Sequence, residues 1–143
     1  MLFVGVDLGT SAVKLLLMDE KGKIHNIVSK EYPLSFPHPG WSEQKPEDWY
    51  HAAVDTIRSV LTKSGVDKKD VVSMGISGQM HGLVMLDEAG NVLRPSIIWC
   101  DQRTGKEVAE ITEKVGADRL IDITANPAIT GFTAAKIMWI KNN

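Results

Sequence analysis

Met74-Gly-Ile-Ser-Gly-Gln-Met-His-Gly-Leu-Val84 is the stretch on which the reading of the fold turns. An apolar run from Val71 to Ile76 leads into Ser77-Gly-Gln-Met-His-Gly82, and a second apolar run, Leu83 to Leu86, follows at once. Short apolar runs on either side of a glycine-rich polar segment predict strand, loop, strand. Gly75, Gly78 and Gly82 let the backbone approach a neighbour closely or take positive φ. The amide of Gln79, the thioether of Met80 and the imidazole of His81 stand between them. That set suits a small polyhydroxylated ligand better than a phosphate or a metal ion.

On the N-terminal side, Leu2 to Asp7, Val13 to Met18 and Lys23 to Tyr32 predict three strands. The turns Asp7-Leu-Gly-Thr-Ser11 and Asp19-Glu-Lys-Gly22 join them into an antiparallel meander. Pro33 to Lys45 is punctuated by Pro33, Pro37, Pro39 and Gly40 and reads as loop, although it carries Phe36 and Trp41. Pro46 suits a first helical position, with Glu47 and Asp48 at the positive end of the dipole. Trp49, Ala53, Ile57, Val60 and Leu61 recur at helical spacing until Gly65.

On the C-terminal side, Asp87-Glu-Ala-Gly-Asn91 repeats the chemistry of the Asp19 turn, and Val92 to Trp99 is extended around Pro95. Thr104 is expected to cap a helix with Val108, Ile111 and Val115 on one face, stopped by Gly116. Asp118 to Ile123 adds a short helical turn. Thr124 to Gly131 is loop, and Thr133 is expected to cap a final amphipathic helix. That helix, over 132–141, meets Asn142-Asn143 without a clear C-cap. The sum is α/β: a mixed sheet whose first three strands are antiparallel, with flanking helices.

With 143 residues, 43% hydrophobic and 24% charged, the chain can bury the core of one ordinary domain. A net charge of −2 offers no electrostatic case for a nucleic-acid or membrane partner. The single cysteine, Cys100, excludes an intrachain disulfide and a Cys-rich zinc site and fits a reducing compartment. No apolar run approaches the roughly 20 residues of a membrane span, and Asp7 interrupts any N-terminal leader pattern. A cytoplasmic chain is expected.

Two places carry chemistry. In the turn Asp7-Leu-Gly9-Thr10-Ser11, hydroxyls and backbone N–H groups can cradle phosphate oxygens, with Lys14 adding positive charge. Asp7 can hold a metal ion through water. A plain β-turn with a solvated lysine is the competing reading. The turn is neither a Walker A loop nor a dinucleotide fingerprint, since G-x-x-x-x-G-K-[ST] is absent and no helix follows the glycine. Near the central loop, Trp99 can offer a face to the C–H surface of a polyhydroxylated ligand and Asp101 can accept from its hydroxyls. An aromatic core residue before a capped helix competes with that reading. Arg103 reads as a partner for a carboxylate, and Cys100 as a buried thiol with no base to activate it.

Asp7-Leu-Gly-Thr-Ser-Ala-Val-Lys14 resembles the first phosphate motif of the actin, hexokinase and heat-shock ATPase superfamily. Ser77-Gly-Gln-Met-His-Gly82 resembles the sugar signature of the D-xylulose kinases within the FGGY carbohydrate kinases. Trp41-Ser-Glu-Gln-Lys-Pro46 with Trp49, Trp99-Cys-Asp-Gln-Arg-Thr104, and Gly131-Phe-Thr-Ala-Ala-Lys136 with Trp139 agree with the same family, so the resemblance spans nearly the whole chain. It implies a ribonuclease-H-like (actin-like ATPase) domain, ATP and Mg²⁺ as cofactors, and phosphorylation of a ketopentose hydroxyl.

By position, Met80 and His81 would contact the sugar, with Gln79 bracing the loop and Trp99 and Asp101 beside it. Gly9, Thr10, Ser11 and Lys14 would meet phosphate, and Asp7 would organise phosphate and Mg²⁺. Asn126 and Thr130 to Thr133 are further candidates. Related kinases often have glycine at Ala125, and some have proline at Ala135. The catalytic aspartate and the adenine site of such kinases lie beyond residue 143. Residues 1–143 are therefore expected to be the N-terminal part of the first kinase domain, inactive alone, and to dimerise or self-associate through exposed apolar surface. The glycerol kinases carry an Arg-Glu pair where Met80-His81 stands, which favours D-xylulose over ribulose, gluconate or glycerol. A non-catalytic sugar-binding module is the reading from outside the enzymes.

Overall fold

The computed structural model describes residues 1–143. The chain forms two compact units, Met1–Leu34 with Pro46–Gln79, and Ser35–Lys45 with Met80–Asn143.

The first unit is a four-stranded sheet backed by one helix. β1 (Leu2–Leu8), β2 (Ala12–Asp19) and β3 (Ile24–Glu31) form the expected meander, β1 with β2 and β2 with β3 antiparallel. α1 (Pro46–Ser64) then carries the chain back, and β5 (Val71–Gly78) joins parallel to β1, giving the order β3-β2-β1-β5. A parallel neighbour needs such a crossover, because no hairpin can deliver it. Alternation sorts the side chains. Val4, Val6, Val13, Leu15, Leu17 and Val28 form one buried face with Ala52 and Val60 of α1. Gly5, Asp7, Lys14 and Leu16 fall on alternate positions of the same strands and line an open concavity of about 580 Å³ with Gly75 and Ser77. Gly65, at φ +64°, ends α1 as its sequence position requires.

The second unit is mostly helical. β4 (Glu43–Gln44) pairs antiparallel with β6 (Ser96–Ile97), and α2 (Gly105–Val115), α3 (Ala117–Thr124) and α4 (Thr133–Asn142) follow. Four expectations are corrected here. The Pro33–Lys45 loop contains the two-residue strand β4. Leu83 to Leu86 is not a strand: Leu83 and Leu86 make only isolated bridges, to Ile97 and Val92. Neither Thr104 nor Thr133 caps its helix, since each hydroxyl is drawn to a distant carbonyl, Thr130 O at 3.4 Å and His81 O at 3.3 Å. The final helix inverts the expected amphipathic pattern, with Lys136 fully buried and Ile137 exposed. The turn chemistry, in contrast, repeats closely. Asp19 Oδ1 accepts from the N–H groups of Lys21 and Lys23, and Asp87 Oδ1 from those of Ala89 and Asn91.

α3 ends on Ala125 in the left-handed region, at φ +58°. A side chain there costs about 1–2 kcal/mol, partly offset in Gly by the greater freedom of its unfolded chain. Ala125→Gly is expected to raise stability by about 0.5–1 kcal/mol, read from a urea unfolding midpoint at unchanged slope.

Candidate functional site

The phosphate turn belongs to the first unit. Gly9 N–H donates to Ala12 O at 3.0 Å and closes the turn. Gly9 therefore supplies shape rather than a phosphate donor, and a Cβ there would meet Ala12 O at 2.9 Å. Tyr32, which the sequence reading passed over, braces the turn from behind: its hydroxyl donates to Gly9 O and its N–H to Ser11 O at 3.3 Å. Burial, with a further push from the Asp7 charge, raises the Tyr32 phenol to about 12, so it remains a donor at any ordinary pH. Ser11, Lys14 and Asp7 are exposed, and Asp7 sits opposite Lys14 on β2 and Ser77 on β5. Gln79 is tied to the same turn. Its N–H donates to Leu8 O at 2.8 Å, and Thr10 Oγ1 donates to its Oε1 at 3.4 Å. Bracing the loop is thus what Gln79 does.

No three His, Cys, Asp or Glu side chains gather into a metal cage. The lone exposed carboxylate of Asp7 suits an ion that arrives already coordinated by phosphates, which is how Mg²⁺ usually binds.

Met80 opens the second unit and is 70% exposed. His81 has φ +64°, a conformation rare for a residue with a side chain. Three contacts hold it there. Its carbonyl accepts from Lys136 Nζ at 2.7 Å and from Thr133 Oγ1 at 3.3 Å, and its exposed ring lies 4.6 Å from the Phe132 ring centroid. Lys136 also donates to Gly131 O at 2.7 Å. Gly131 in turn packs so closely on Trp99 that a Cβ would fall 2.8 Å from the Trp99 carbonyl oxygen. His81, through the bonds of Lys136, and Trp99, 48% exposed, through close backbone packing, thus both rest on the turn at Gly131.

Asp101 is different. It is fully buried, and its carboxylate accepts from Ser42 N–H at 2.7 Å, from Arg103 N–H at 2.9 Å, and from Arg103 Nε and Nη2 at 2.8–3.0 Å. Those bonds consume the oxygens that the sequence reading offered to a sugar. Arg103 is the carboxylate partner expected of it, and its Nη1 also lies 2.7 Å from Glu43 Oε1. Asn126 is exposed and bonds back to Thr124 O at 3.0 Å, while Thr130 Oγ1 donates to Gln102 Oε1 at 2.8 Å. Cys100 is half-buried rather than buried as expected. Trp139 packs edge-on against Trp41 at 5.3 Å.

Residues 2–143 match the N-terminal domain of the FGGY family of carbohydrate kinases, and the chain belongs to that family. It is 45% identical to a xylulose kinase of Bacillus subtilis (strain 168) over 98% of its own length and 28% of that protein. The crystal structure of a xyloylose kinase from Brucella ovis superposes with a TM-score of 0.94 at 39% identity, over all of this chain and 30% of the other. A gluconate kinase from Lactobacillus acidophilus superposes at 0.90 with 30% identity, over 99% of this chain and 28% of the other. These relatives confirm the ribonuclease-H-like, actin-like fold. The chain spans less than a third of the length of the curated relatives it matches.

Removing one partner of a buried ion pair strands the other charge, at a cost of about 3–5 kcal/mol. Asp101→Ala is expected to lower unfolding free energy by about that amount, measured by chemical denaturation. Burial lowers the Lys136 ammonium from 10.5 to about 8, against the opposing pull of Asp101 and Cys100. Between those values the unfolded chain binds more protons than the folded one, so stability rises with pH. The difference in unfolding free energy between the protein and Lys136→Met should therefore shift in favour of the protein from pH 8 to pH 10.5, and stay flat below pH 7.

Proposed function

We propose that this chain supplies the sugar loop and first phosphate turn of an ATP-dependent kinase that converts D-xylulose to D-xylulose 5-phosphate. In this reading residues 1–143 are the N-terminal part of the first of two kinase domains. The base and the adenine site lie outside it, so the isolated chain is inactive. The observation that carries the reading is the loop Ser77–Gly82, in which His81 is held at positive φ with its ring exposed, inside a domain of the carbohydrate-kinase family.

Phosphoryl transfer asks little covalent chemistry of a protein and a great deal of positioning. Met80 packs on the sugar's carbon skeleton, His81 exchanges hydrogen bonds with its hydroxyls, and Trp99 shields a C–H face. Asp101 holds Arg103 rather than the sugar. Thr10, Ser11 and Lys14 meet the phosphates, and Gly9 gives the turn its shape. Asp7 would hold the Mg²⁺ of Mg·ATP through water. Bound nucleotide supplies the phosphoryl group. The enzyme works in the cytoplasm as a homodimer.

The likeness to a gluconate kinase makes another sugar or polyol the second reading within the family. ADP release by the full-length gene product, with D-xylulose beside ribulose, gluconate and glycerol, separates the two. D-xylulose is expected to give the highest kcat/KM. His81→Ala is expected to lower it about a hundredfold, the worth of two hydrogen bonds at roughly 1.4 kcal/mol each. Higher turnover with another substrate would move the assignment, and no sugar-dependent ADP release would leave a binding module.

A further inference from the structure

The Lys136 side chain is fully buried, and it lies within ion-pair distance of no carboxylate. Burying an ammonium costs several kcal/mol unless its donors are satisfied. The lowering of this ammonium by burial is the trace of that cost. An apolar residue of similar volume would fill the same space at less expense. What the lysine does that such a residue could not is donate to two backbone carbonyls from segments far apart in sequence, His81 O and Gly131 O, each at 2.7 Å.

One of those carbonyls belongs to the residue in the left-handed conformation. A histidine at φ +64° sits in a well that its own Cβ disfavours by about 1–2 kcal/mol. Residues of this kind persist only where surrounding groups over-determine them. Gly82, next in the chain, is packed so that a Cβ would come 3.3 Å from Ser96 Oγ, and Leu83 N–H is fixed to Ile97 O at 2.9 Å. The loop is thus pinned on its C-terminal side by backbone pairing. At His81 itself it is pinned from α4, by Lys136 and by Thr133 in the same helical turn. The Phe132 ring, one residue before α4, sets the plane against which the imidazole rests.

We propose that Lys136 is a positioning residue for sugar recognition: its ammonium clamps the His81 carbonyl, fixes the left-handed backbone there, and so aims the Met80 and His81 side chains at the sugar. Thr133 is the auxiliary clamp on the same oxygen. The proposal rests on the sugar-loop reading above, and it touches neither the phosphate turn nor the nucleotide.

The test uses the full-length gene product with Lys136→Met, Lys136→Arg and Thr133→Val. Two readouts are taken: KM for sugar and for ATP separately, and amide hydrogen exchange by mass spectrometry. Lys136→Met is expected to raise the sugar KM about tenfold or more while the ATP KM stays within twofold. Thr133→Val should shift the sugar KM the same way by a few-fold, and Lys136→Arg should recover part of the loss. Exchange over residues 80–83 should quicken in Lys136→Met, with α1 and β2 unchanged. A lowered melting temperature with both KM values intact would overturn the proposal and leave a structural lysine. Unchanged exchange over 80–83 would overturn it as well. If the unaltered protein phosphorylates no sugar, the kinase reading fails, and the exchange result still decides whether Lys136 clamps the loop. Should Lys136→Met fail to fold, Thr133→Val and Lys136→Arg carry the same comparison.

Discussion

A guanidinium is held almost out of water at Arg103, and the second unit is arranged to make that tolerable. The side chain is 1% exposed. Asp101 takes it in a forked pair, Glu43 meets its remaining nitrogen, and the Trp41 ring lies 3.7 Å beneath it with Trp139 at 5.0 Å. Planar, delocalised charge that bonds at its edge and stacks on its faces is what arginine offers and lysine does not. The carboxylates come from β4 and from the segment after β6, and the rings from the proline-rich segment and α4. Three pieces of chain distant in sequence, around Glu43, Asp101 and Trp139, thus share one ion. Packing alone would leave them several arrangements, whereas a buried charge with few acceptable partners leaves far fewer.

The consequences run toward Trp99 and His81. Once Asp101 is fixed by Ser42 and Arg103, the strand end before it fixes Trp99, and Trp99 fixes where Gly131 can pass. Gly131 and α4 then bring Lys136 to the His81 carbonyl. The first unit solves a simpler problem. Its turn is closed by its own backbone, braced by Tyr32, and presented at the end of two strands whose other face is sealed by α1. Hydroxyls and a lysine at such a place are ordinary means of meeting phosphate oxygens, and an exposed carboxylate a means of meeting the cation that accompanies them.

Local chemistry in the sequence revealed what local chemistry controls. The β-meander was legible because apolar alternation and the Asp19-to-Gly22 turn act within a few residues, and α1 because Pro46, Glu47 and Gly65 mark both its ends. The phosphate turn and the glycine-rich loop were legible as motifs. Long-range demands were not. Thr104 and Thr133 look like caps, but carbonyls at Thr130 and His81 claim their hydroxyls. Lys136 looks like the solvated edge of an amphipathic helix, and only the carbonyls that draw it inward make it core. Asp101 looks like a ligand residue because nothing local shows that Ser42, 59 positions away, will use its oxygen. Leu83 to Leu86 has strand composition and lacks a strand partner. In each case the missing information was the identity of a group far along the chain.

The central claim is that the loop from Ser77 to Gly82 receives the sugar, presented by a clamped His81. The most direct measurement is a crystal structure of the full-length gene product with D-xylulose bound. The account predicts sugar hydroxyls within hydrogen-bond distance of the His81 ring, carbon skeleton against Met80, and His81 still at positive φ with its carbonyl on Lys136. Sugar density away from this loop, or His81 relaxed to an ordinary backbone conformation with sugar bound, would contradict it.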